Sequence, residues 1–446
     1  MKHKRTSKQS VLTGTKIATS IGLAVSCAVW GATPSFASTK HSSTAHETLT
    51  VWESYLGEEG TLFKEYANKF QKENPGVTVK LTALSDNGIK EKVATAIVAH
   101  DLPDVVQWWG GAFQLPEVSS GSFLKLNSMI AANKSWASHF LAGSFDNYKY
   151  KGGIYQVPMD DNVVLLFYNK KLLASAGISK PPAMWSQLLT DVKALKSKGI
   201  TPLALDGKDG WPFQEWYTYL VMRYGGAPLL YQALAGKASW TNPAWLKAAD
   251  ALETLIKAGG FETGWLGTGS TAWSLYDVGH AAMMLSGNWL VDGLLTPSTK
   301  AVLHETGFVN FPTVPGGKGG TDQAQGGAND SLAVSSRAAD PSLAEKFVRF
   351  MSSASRGSFE SQNLVKALDI APLKVSYNHA AVPALFNQTF AAMGTYKAWN
   401  LFWNEVIPPT QNTEETNLLE SMAVGSITPA KMVSTFATYM KAHPAQ

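Results

Sequence analysis

Apolar residues recur with two different spacings after a polar N-terminal tail, and the two spacings alternate along the chain. Residues 49–52, 77–81 and 104–108 are short apolar or alternating runs typical of strands. Between them, residues 62–70 and 89–99 carry apolar side chains at the three- and four-residue spacing of an amphipathic helix. Strand, helix, strand, helix, strand in this order predicts a parallel sheet with right-handed crossovers.

The rest of the chain predicts a few more strands and many helices. Residues 154–168 indicate two extended strands joined by a polar step at residues 160–162. Residues 307–314 and 332–334 are further strands, and residues 316–327, with six glycines in twelve positions, predict a flexible loop. Helix starts are marked by a glycine, or by a polar residue before proline, at Gly60, Asn242, Asp340 and Thr428.

The N-terminus has the features of an export signal. Residues 1–37 combine a basic start with an apolar run over residues 17–30, and they end in small residues. We therefore expect a signal peptide over residues 1–37 and a tether over residues 38–47. Cys27, the only cysteine, follows a stretch that resembles a lipoprotein cleavage box, so release after Ala37 and a lipid anchor on Cys27 are both open. With either outcome the protein works outside the cytoplasmic membrane, in the extracellular space or at the cell surface.

Length, charge and cysteine content narrow the classes of function. A chain of 446 residues is too long for one ordinary domain, so two lobes are expected. Five of the 38 Lys and Arg residues and no acid fall in residues 1–37, which leaves 33 basic against 34 acidic residues. This balance gives no reason to expect nucleic acid as a partner. One cysteine, scattered histidines and no phosphate-binding or metalloprotease motif predict no metal site, no cofactor and no catalytic residue.

Tryptophan is abundant, and several tryptophans have Asp, Asn, Gln or Glu as close neighbours in the sequence. Aromatic rings cover the flat C–H faces of sugars, while amides and carboxylates pair with sugar hydroxyls. Both residue types occur together in residues 52–59, 107–111, 209–215, 286–289 and 398–400. The first two segments end strands of the predicted parallel sheet, where open α/β sheets bind ligands. Trp216 and Trp403 fall at helical spacings that favour packing inside a lobe.

Paired acids raise the alternative of a secreted glycoside-processing enzyme, because glycoside hydrolysis uses two carboxylates at a fixed separation. The pairs are Glu58 with Glu59 and Asp160 with Asp161. We expect both pairs on extended chain, where neighbouring side chains point to opposite faces, so neither pair can act alone. The enzyme would need Glu58 or Glu59 to meet Asp161 across a cleft. A chemoreceptor-type or purely structural surface protein is a third alternative.

Five segments in order resemble the extracellular solute-binding proteins of carbohydrate ABC importers, the maltose-binding-protein-like family 1. They are EGT, FKE and NPGV within residues 59–77, LPDV at 102–105, YQVP and LFYNK within 155–170, AMMLSGNW at 282–289 and GGANDSLAVS at 326–335. The resemblance implies an α/β, two-lobed periplasmic-binding-protein-like fold of type II with three interlobe crossings. The ligand would lie between the lobes, which close on it by a hinge motion.

The same resemblance implies the limits of the lobes. The implied ranges are 48–158 plus 332–375 for the N-terminal lobe, 159–331 plus 376–446 for the C-terminal lobe, and crossings near 157–162, 328–334 and 372–380.

Site residues and partners also follow from the resemblance. Trp289 is the first candidate for stacking on a sugar, followed by Trp211 and Trp399. The other ligand-binding candidates are Trp108, Trp109, Gln107, Glu58, Asp161, Gly326 and Gly327. The glycines would let the backbone approach the ligand closely. The expected partners are an oligosaccharide and an ABC permease, with the protein acting as a monomer, and residues 208–211 resemble receptors for oligosaccharides other than maltose.

Overall fold

Thirteen strands are present in the computed structural model, which describes residues 47–55, 57–353 and 383–444. In chain order they are β1 (Glu47–Glu53), β2 (Val77–Ala83), β3 (Val105–Trp109), β4 (Lys149–Tyr150), β5 (Gly153–Ile154), β6 (Gln156–Pro158), β7 (Asn162–Asn169), β8 (Thr201–Ala204), β9 (Ala281–Gly287), β10 (Thr306–Val309), β11 (Gln323–Gly327), β12 (Asp330–Val334) and β13 (Ala398–Asn400).

Helices connect most of these strands. They are α1 (Gly57–Glu73), α2 (Asp86–Ala99), α3 (Leu115–Ser119), α4 (Asn127–Ala132), α5 (Lys134–Ala137), α6 (Lys170–Ser175), α7 (Trp185–Ser197), α8 (Trp211–Gly225), α9 (Pro228–Leu234), α10 (Pro243–Lys257), α11 (Thr271–Asp277), α12 (Leu290–Gly293), α13 (Lys300–Glu305), α14 (Pro341–Met351), α15 (Ala384–Met393), α16 (Trp403–Val406), α17 (Pro409–Ala423) and α18 (Pro429–Ala442). Within the described ranges, none of these helices has the length and hydropathy to cross a membrane.

The first large sheet has five strands in the order β2-β1-β3-β12-β6. Strand β1 pairs in parallel with β2 and β3, whereas β12 is antiparallel to β3 and β6. The predicted parallel sheet is therefore confirmed for its first three strands, and β12 makes the whole sheet mixed. Strands β1, β2, β3 and β6 consequently end at one edge of the sheet, and β12 begins at that edge.

The second large sheet has the order β13-β11-β7-β9-β8, with β10 also paired to β7. Strand β7 is antiparallel to β9, β10 and β11, while β8 is parallel to β9 and β11 is parallel to β13. Strands β8, β9, β11 and β13 therefore end at one edge, where β7 begins. Loops at this edge come from five separate parts of the chain.

Helices cover both faces of each large sheet, and each face has its own apolar core. In the five-stranded sheet, α1 and α14 pack on one face, where the rings of Phe70 and Phe347 lie 5.1 Å apart, and Ile89 of α2 packs on the other. In the six-stranded sheet, Val164 points into the core under α8 and α10, and Val163 points into the opposite core. This layering follows from strand alternation, because successive side chains of a strand point to opposite faces.

Short segments carry the chain between the two large sheets. Residues 159–161 join β6 to β7, and residues 328–329 join β11 to β12. Buried Asp160 holds these segments together: its carboxylate accepts hydrogen bonds from the backbone N–H of Asn329 at 3.2 Å and of Asp330 at 2.7 Å. The crossing expected near residues 372–380 lies outside the described residues, as does the signal segment with Cys27, and the lobe boundaries stay a prediction.

Several helix starts and packing assignments are confirmed. Asn242, Asp340 and Thr428 each accept a hydrogen bond from a backbone N–H in the first turn of α10, α14 and α18 respectively. Trp216 and Trp403 are fully buried in the core of the six-stranded sheet. Helical spacing accounts for Trp216, which lies five residues after Trp211 on α8, whereas Trp399 is on strand β13 and α16 begins only at Trp403.

Other expectations are wrong in instructive ways. Helix α1 begins at Gly57, so Gly60 lies inside it, and Glu58 and Glu59 are helical where extended chain was expected. The segment predicted as a flexible loop contains strand β11 at its end, and strand β10 stops at Val309. Glycines were interpreted as loop residues, although a strand can use them where another backbone comes close.

Replacing Asp160 with alanine should destabilise the fold strongly. The variant leaves the two backbone N–H groups of Asn329 and Asp330 without their acceptor, at a cost of about 2–4 kcal/mol in the free energy of unfolding. Urea unfolding of the chain from residue 38 onward measures this cost. Thr428→Ala removes one exposed cap bond and should cost only about 1 kcal/mol. Equal losses in the two variants would contradict the role given to Asp160.

Candidate functional site

The carboxyl-end edges of the two large sheets meet, and we call this region the junction. Asn87 Nδ2 in α2 donates to Asp209 Oδ1 between β8 and α8 at 2.8 Å. Asn147 Nδ2 donates to Glu405 Oε2 in α16 at 2.8 Å, and the backbone N–H of Ala112 donates to the Glu405 carbonyl at 2.6 Å. Asn87, Asn147 and Ala112 precede β6, and their partners follow β7, so these bonds join the two halves of the fold.

Most sequence-predicted residues of the six-stranded sheet do lie at this junction. Trp211 opens α8 after β8, and Trp289 lies two residues after the end of β9. Asp161 precedes β7, while Gly326 and Gly327 end β11. They come together because the strands that carry them all reach the same sheet edge.

Three tryptophans and one phenylalanine form an aromatic cluster at the junction, consisting of Trp211, Trp273, Trp289 and Phe402. The ring centroids of Trp211 and Trp289 lie 5.9 Å apart at 67°, and those of Trp211 and Trp273 lie 6.3 Å apart at 33°. The Trp289 and Phe402 centroids lie 5.9 Å apart. The three indoles are half-buried, which leaves part of each ring surface accessible. Sequence reasoning missed Trp273, because neither its neighbours nor its spacing distinguish it from a packing residue.

A buried carboxyl group is hydrogen-bonded to one indole of this cluster. The Trp273 side chain donates a hydrogen bond to buried Asp206, and the backbone N–H of Asp209 donates to Asp206 Oδ1 at 3.1 Å. Burial, and to a smaller extent the neighbouring Asp209 side chain, raises the pKa of Asp206 to about 7 against the opposing effect of the backbone bond. Asp206 therefore links the orientation of one indole to the loop that precedes Trp211.

Buried polar side chains lie beneath the aromatic cluster. Glu215 is four residues after Trp211 on α8, and the Gln325 side-chain amide donates to the Glu215 backbone carbonyl at 3.0 Å. Gln325 and Asn400 are register partners on the parallel strands β11 and β13, so both side chains project toward α8. Complete burial raises the pKa of Glu215 well above its usual value.

The two predicted glycines approach protein backbone and side chains more closely than other residues could. Gly326 has φ 147° and Gly327 has φ 123°, both in the region that favours glycine. A Cβ atom on Gly326 would lie 2.1 Å from the Asn162 carbonyl oxygen, and one on Gly327 would lie 2.8 Å from a Leu401 methyl group. The observed close approach is thus to β7 and to Leu401, and contact of these glycines with a ligand stays a prediction.

The predicted residues of β3 are mostly occupied by contacts within their own sheet. Gln107 is 1% exposed, and its side-chain oxygen accepts from the backbone N–H of Ser54 at 2.6 Å. Trp108 is 2% exposed and packs in the core. Trp109 is 8% exposed, with the Lys90 ammonium 4.7 Å from its ring centroid. Direct contact of these three residues with a ligand stays a prediction. In this conformation the buried ring of Trp108 offers a ligand no accessible face.

The acids considered for chemistry are placed differently from one another. Burial raises the pKa of Asp161 to about 6 at the junction. The backbone of Glu58 lies in the first turn of α1, and its side chain lies outside the described residues. Among the described residues, no group of three or more His, Cys, Asp or Glu side chains is placed to hold a metal ion.

Trp399 lies apart from the aromatic cluster, on strand β13. Its ring packs on Tyr396 at 5.2 Å and 75°, and the residue lines a cavity of about 480 Å³ together with Tyr231 and Asn400. Since the backbone N–H of Leu401 donates to the Tyr231 hydroxyl at 3.0 Å, this cavity borders the chain segment that leads into Phe402. Trp399 therefore flanks the junction and does not extend the cluster itself.

The chain matches one protein family over most of its length. Residues 54–356 match the family described as bacterial extracellular solute-binding protein. The multiple sugar-binding protein of Streptococcus mutans serotype c is 26% identical over 301 residues, which cover 65% of this chain and 68% of that protein. A diacetylchitobiose binding protein of Streptomyces coelicolor is 29% identical over 188 residues, 41% of each chain.

Solved structures share the fold over nearly the whole chain. A structure from work on xylan utilization by the thermophilic bacterium Caldanaerobius polysaccharolyticus has a TM-score of 0.82 and 30% identity, covering 88% of this chain and all of that one. A chitin oligosaccharide binding protein has a TM-score of 0.80 and 24% identity, covering 89% and 98%. RafE in complex with raffinose has a TM-score of 0.69 and 20% identity, covering 89% and 100%. The predicted fold class, the type II periplasmic-binding-protein-like fold, is confirmed.

Buried carboxyl groups make the stability of this fold depend on pH. Burial raises the pKa to about 6 or about 7 for Glu53, Glu117, Asp161, Asp191, Asp206, Glu262, Asp277 and Glu415. Between the ordinary carboxyl pKa of about 4 and these raised values, the folded protein binds more protons than the unfolded chain. The resulting stability is fully present below about pH 4 and is lost as the pH rises through about 7.

We therefore expect the melting temperature to fall by several degrees between about pH 5 and about pH 8, measured by calorimetry. Asp206→Asn should show a smaller fall, because it removes one group that takes up a proton on folding. The exposed Asp101→Asn is the matched control and should keep the full decline. A melting temperature that rises over this pH range would contradict the assignment.

Proposed function

The chain belongs to the family of bacterial extracellular solute-binding proteins, and from that premise we propose that it is an extracytoplasmic receptor for an oligosaccharide. It captures the sugar at the junction without covalent change and delivers it to an ABC permease. The observation that carries this proposal is the aromatic cluster, in which half-buried indoles from three separate segments converge at the junction.

The chemistry of the cluster suits a sugar. Indole faces cover the apolar C–H faces of pyranose rings, and carboxyl groups pair with the hydroxyls at the ring edge. Asp161, which is half-buried at the junction just ahead of β7, can supply such an acceptor. The relatives named for multiple sugars and diacetylchitobiose, and the structure with raffinose, support an oligosaccharide over other solutes.

Individual roles follow from the placement of each residue. Trp289, whose ring lies between those of Trp211 and Phe402, is the principal stacking residue, and Trp211 and Trp273 extend the stacking surface. Asp161 and Glu58 would pair with hydroxyls, and Trp399 would contact a longer ligand beside the cluster. The remaining candidates lie on β3 and β11, where they would form the walls of the site: Gln107, Trp108, Trp109, Gly326 and Gly327.

Capture works through a difference in affinity between two arrangements of the lobes. An open form binds the sugar on one lobe, the other lobe closes over it, and the closed form docks on the permease. Closure is driven only by the tighter binding of ligand to the closed state. The protein acts as an exported monomer, either released after Ala37 or anchored through Cys27.

The rival function is glycoside processing, which needs two carboxylates flanking the bond to be broken. Asp161, with its pKa raised to about 6, has the property of a general acid, and Glu58 or Glu59 would be its partner. Incubating the chain from residue 38 onward with oligosaccharides separates the two functions. Unchanged sugar with a shift in tryptophan fluorescence supports the receptor, whereas released reducing ends support the enzyme. Binding without an associated permease would favour a chemoreceptor or structural role.

Trp289→Ala should weaken oligosaccharide binding at least tenfold, about 1.4 kcal/mol or more, because the ligand loses its main stacking surface. Titration calorimetry against mono- to tetrasaccharides measures the loss.

Trp136→Phe is the matched control, since Trp136 packs against Phe140 and Phe145 in the five-stranded half, away from the cluster. It should bind as the unmodified protein does. If Trp289→Ala keeps full affinity while its fold is intact, Trp289 is not in the site.

A further inference from the structure

One side chain from the half of the fold that contains the five-stranded sheet donates a hydrogen bond to the loop that leads into the aromatic cluster. Asn87 Nδ2 donates to Asp209 Oδ1 at 2.8 Å. Asn87 belongs to α2, which follows strand β2, whereas Asp209 lies between β8 and α8 in the other half of the fold. Because a carboxylate accepts this bond, it is stronger than a bond between neutral groups.

Both ends of this bond are held in place by their own half of the fold. The first turn of α2 is fixed by its cap, where the backbone N–H of Gly88 donates to Ser85 Oγ at 3.1 Å, and by the ion pair of Asp86 with Lys90 at 2.5 Å. On the other side, the backbone N–H of Asp209 donates to Asp206 at 3.1 Å. The bond therefore joins two pre-positioned groups, and little side-chain freedom is lost when it forms.

The Asp209 end is also connected to the cluster. Asp206 accepts hydrogen bonds from both Asp209 and Trp273, and Asp209 is two residues before Trp211. A change in the position of Asp209 thus reaches two of the three indoles through direct bonds or through the chain.

We propose that Asn87 and Asp209 form a latch that is made when the two halves are closed and broken when they open, so that it sets how long a bound ligand stays. This proposal rests on the proposed function. It adds to that function a pair of residues that slow the dissociation of any bound ligand by the same factor. Asn87 is a positioning residue: it acts on the ligand through Asp209, and the closed state gains one bond that the open state lacks.

Introducing a charge at Asn87, and then exchanging the two side chains, tests the latch. Asn87→Asp places a second carboxylate against Asp209 and should raise the ligand dissociation rate at least tenfold, by the same factor for a disaccharide and a tetrasaccharide. The double variant Asn87→Asp with Asp209→Asn exchanges donor and acceptor and should return the rate to within about threefold of the original. Stopped-flow tryptophan fluorescence measures the rates, and circular dichroism checks that each variant is folded.

The outcomes separate the latch from the receptor function. If the unmodified protein binds no oligosaccharide, the proposed function fails and the latch fails with it. If the unmodified protein binds and Asn87→Asp dissociates at the unmodified rate, only the latch is overturned. A rate that rises in Asn87→Asp and is not restored by the exchange, or that rises for one ligand length alone, means that Asn87 contacts the sugar itself and also overturns the latch.

Discussion

Within the described residues, the chain passes twice between the two large sheets through segments of two or three residues, and these short passages are the constraint on which the rest of this structure depends. Residues 159–161 and 328–329 are too few to let the strands that they connect lie far apart. The Asp160 carboxylate also joins the two segments, because it accepts hydrogen bonds from the backbone N–H groups of Asn329 and Asp330. Strand β7 must therefore begin where β6 ends, and β12 must begin where β11 ends. The edges that carry the loops of both sheets are thereby brought face to face at the junction.

A site at the junction of two sheet edges is formed by residues that are far apart in the sequence. Trp211 follows β8 and Trp289 follows β9, so the pairing of these two strands brings their rings together, whereas Trp273 reaches Trp211 from α11. Several contacts across the junction are polar, such as the bond of Asn87 to Asp209 and that of Asn147 to Glu405.

Most helices and strands, and most residues at the junction, could be predicted from the sequence. The spacing of apolar residues indicates the helices and strands, and the order of the strands indicates which strand ends lie together. Trp216 was correctly assigned to the core from helical spacing, and Trp403 is buried as predicted although a strand end, and no helix, separates it from Trp399. Trp273 was missed because its approach to Trp211 depends on how α11 packs, which no local pattern encodes. The extended conformation expected for Glu58 was wrong, since helix α1 begins before it.

Burial separates tryptophans that the sequence could not rank. Trp108 and Trp289 both sit beside polar residues at strand ends, yet one is 2% exposed in a core and the other is half-buried at the junction. The sequence carries no signal for this difference, because exposure at a strand end depends on which helix covers it. Fluorine NMR of protein labelled with 5-fluorotryptophan tests the assignment directly during an oligosaccharide titration. The account predicts that the resonances of Trp211, Trp273 and Trp289 shift while those of Trp216 and Trp403 stay fixed. Shifts confined to the buried tryptophans, or no shift at any concentration of sugar, would contradict it.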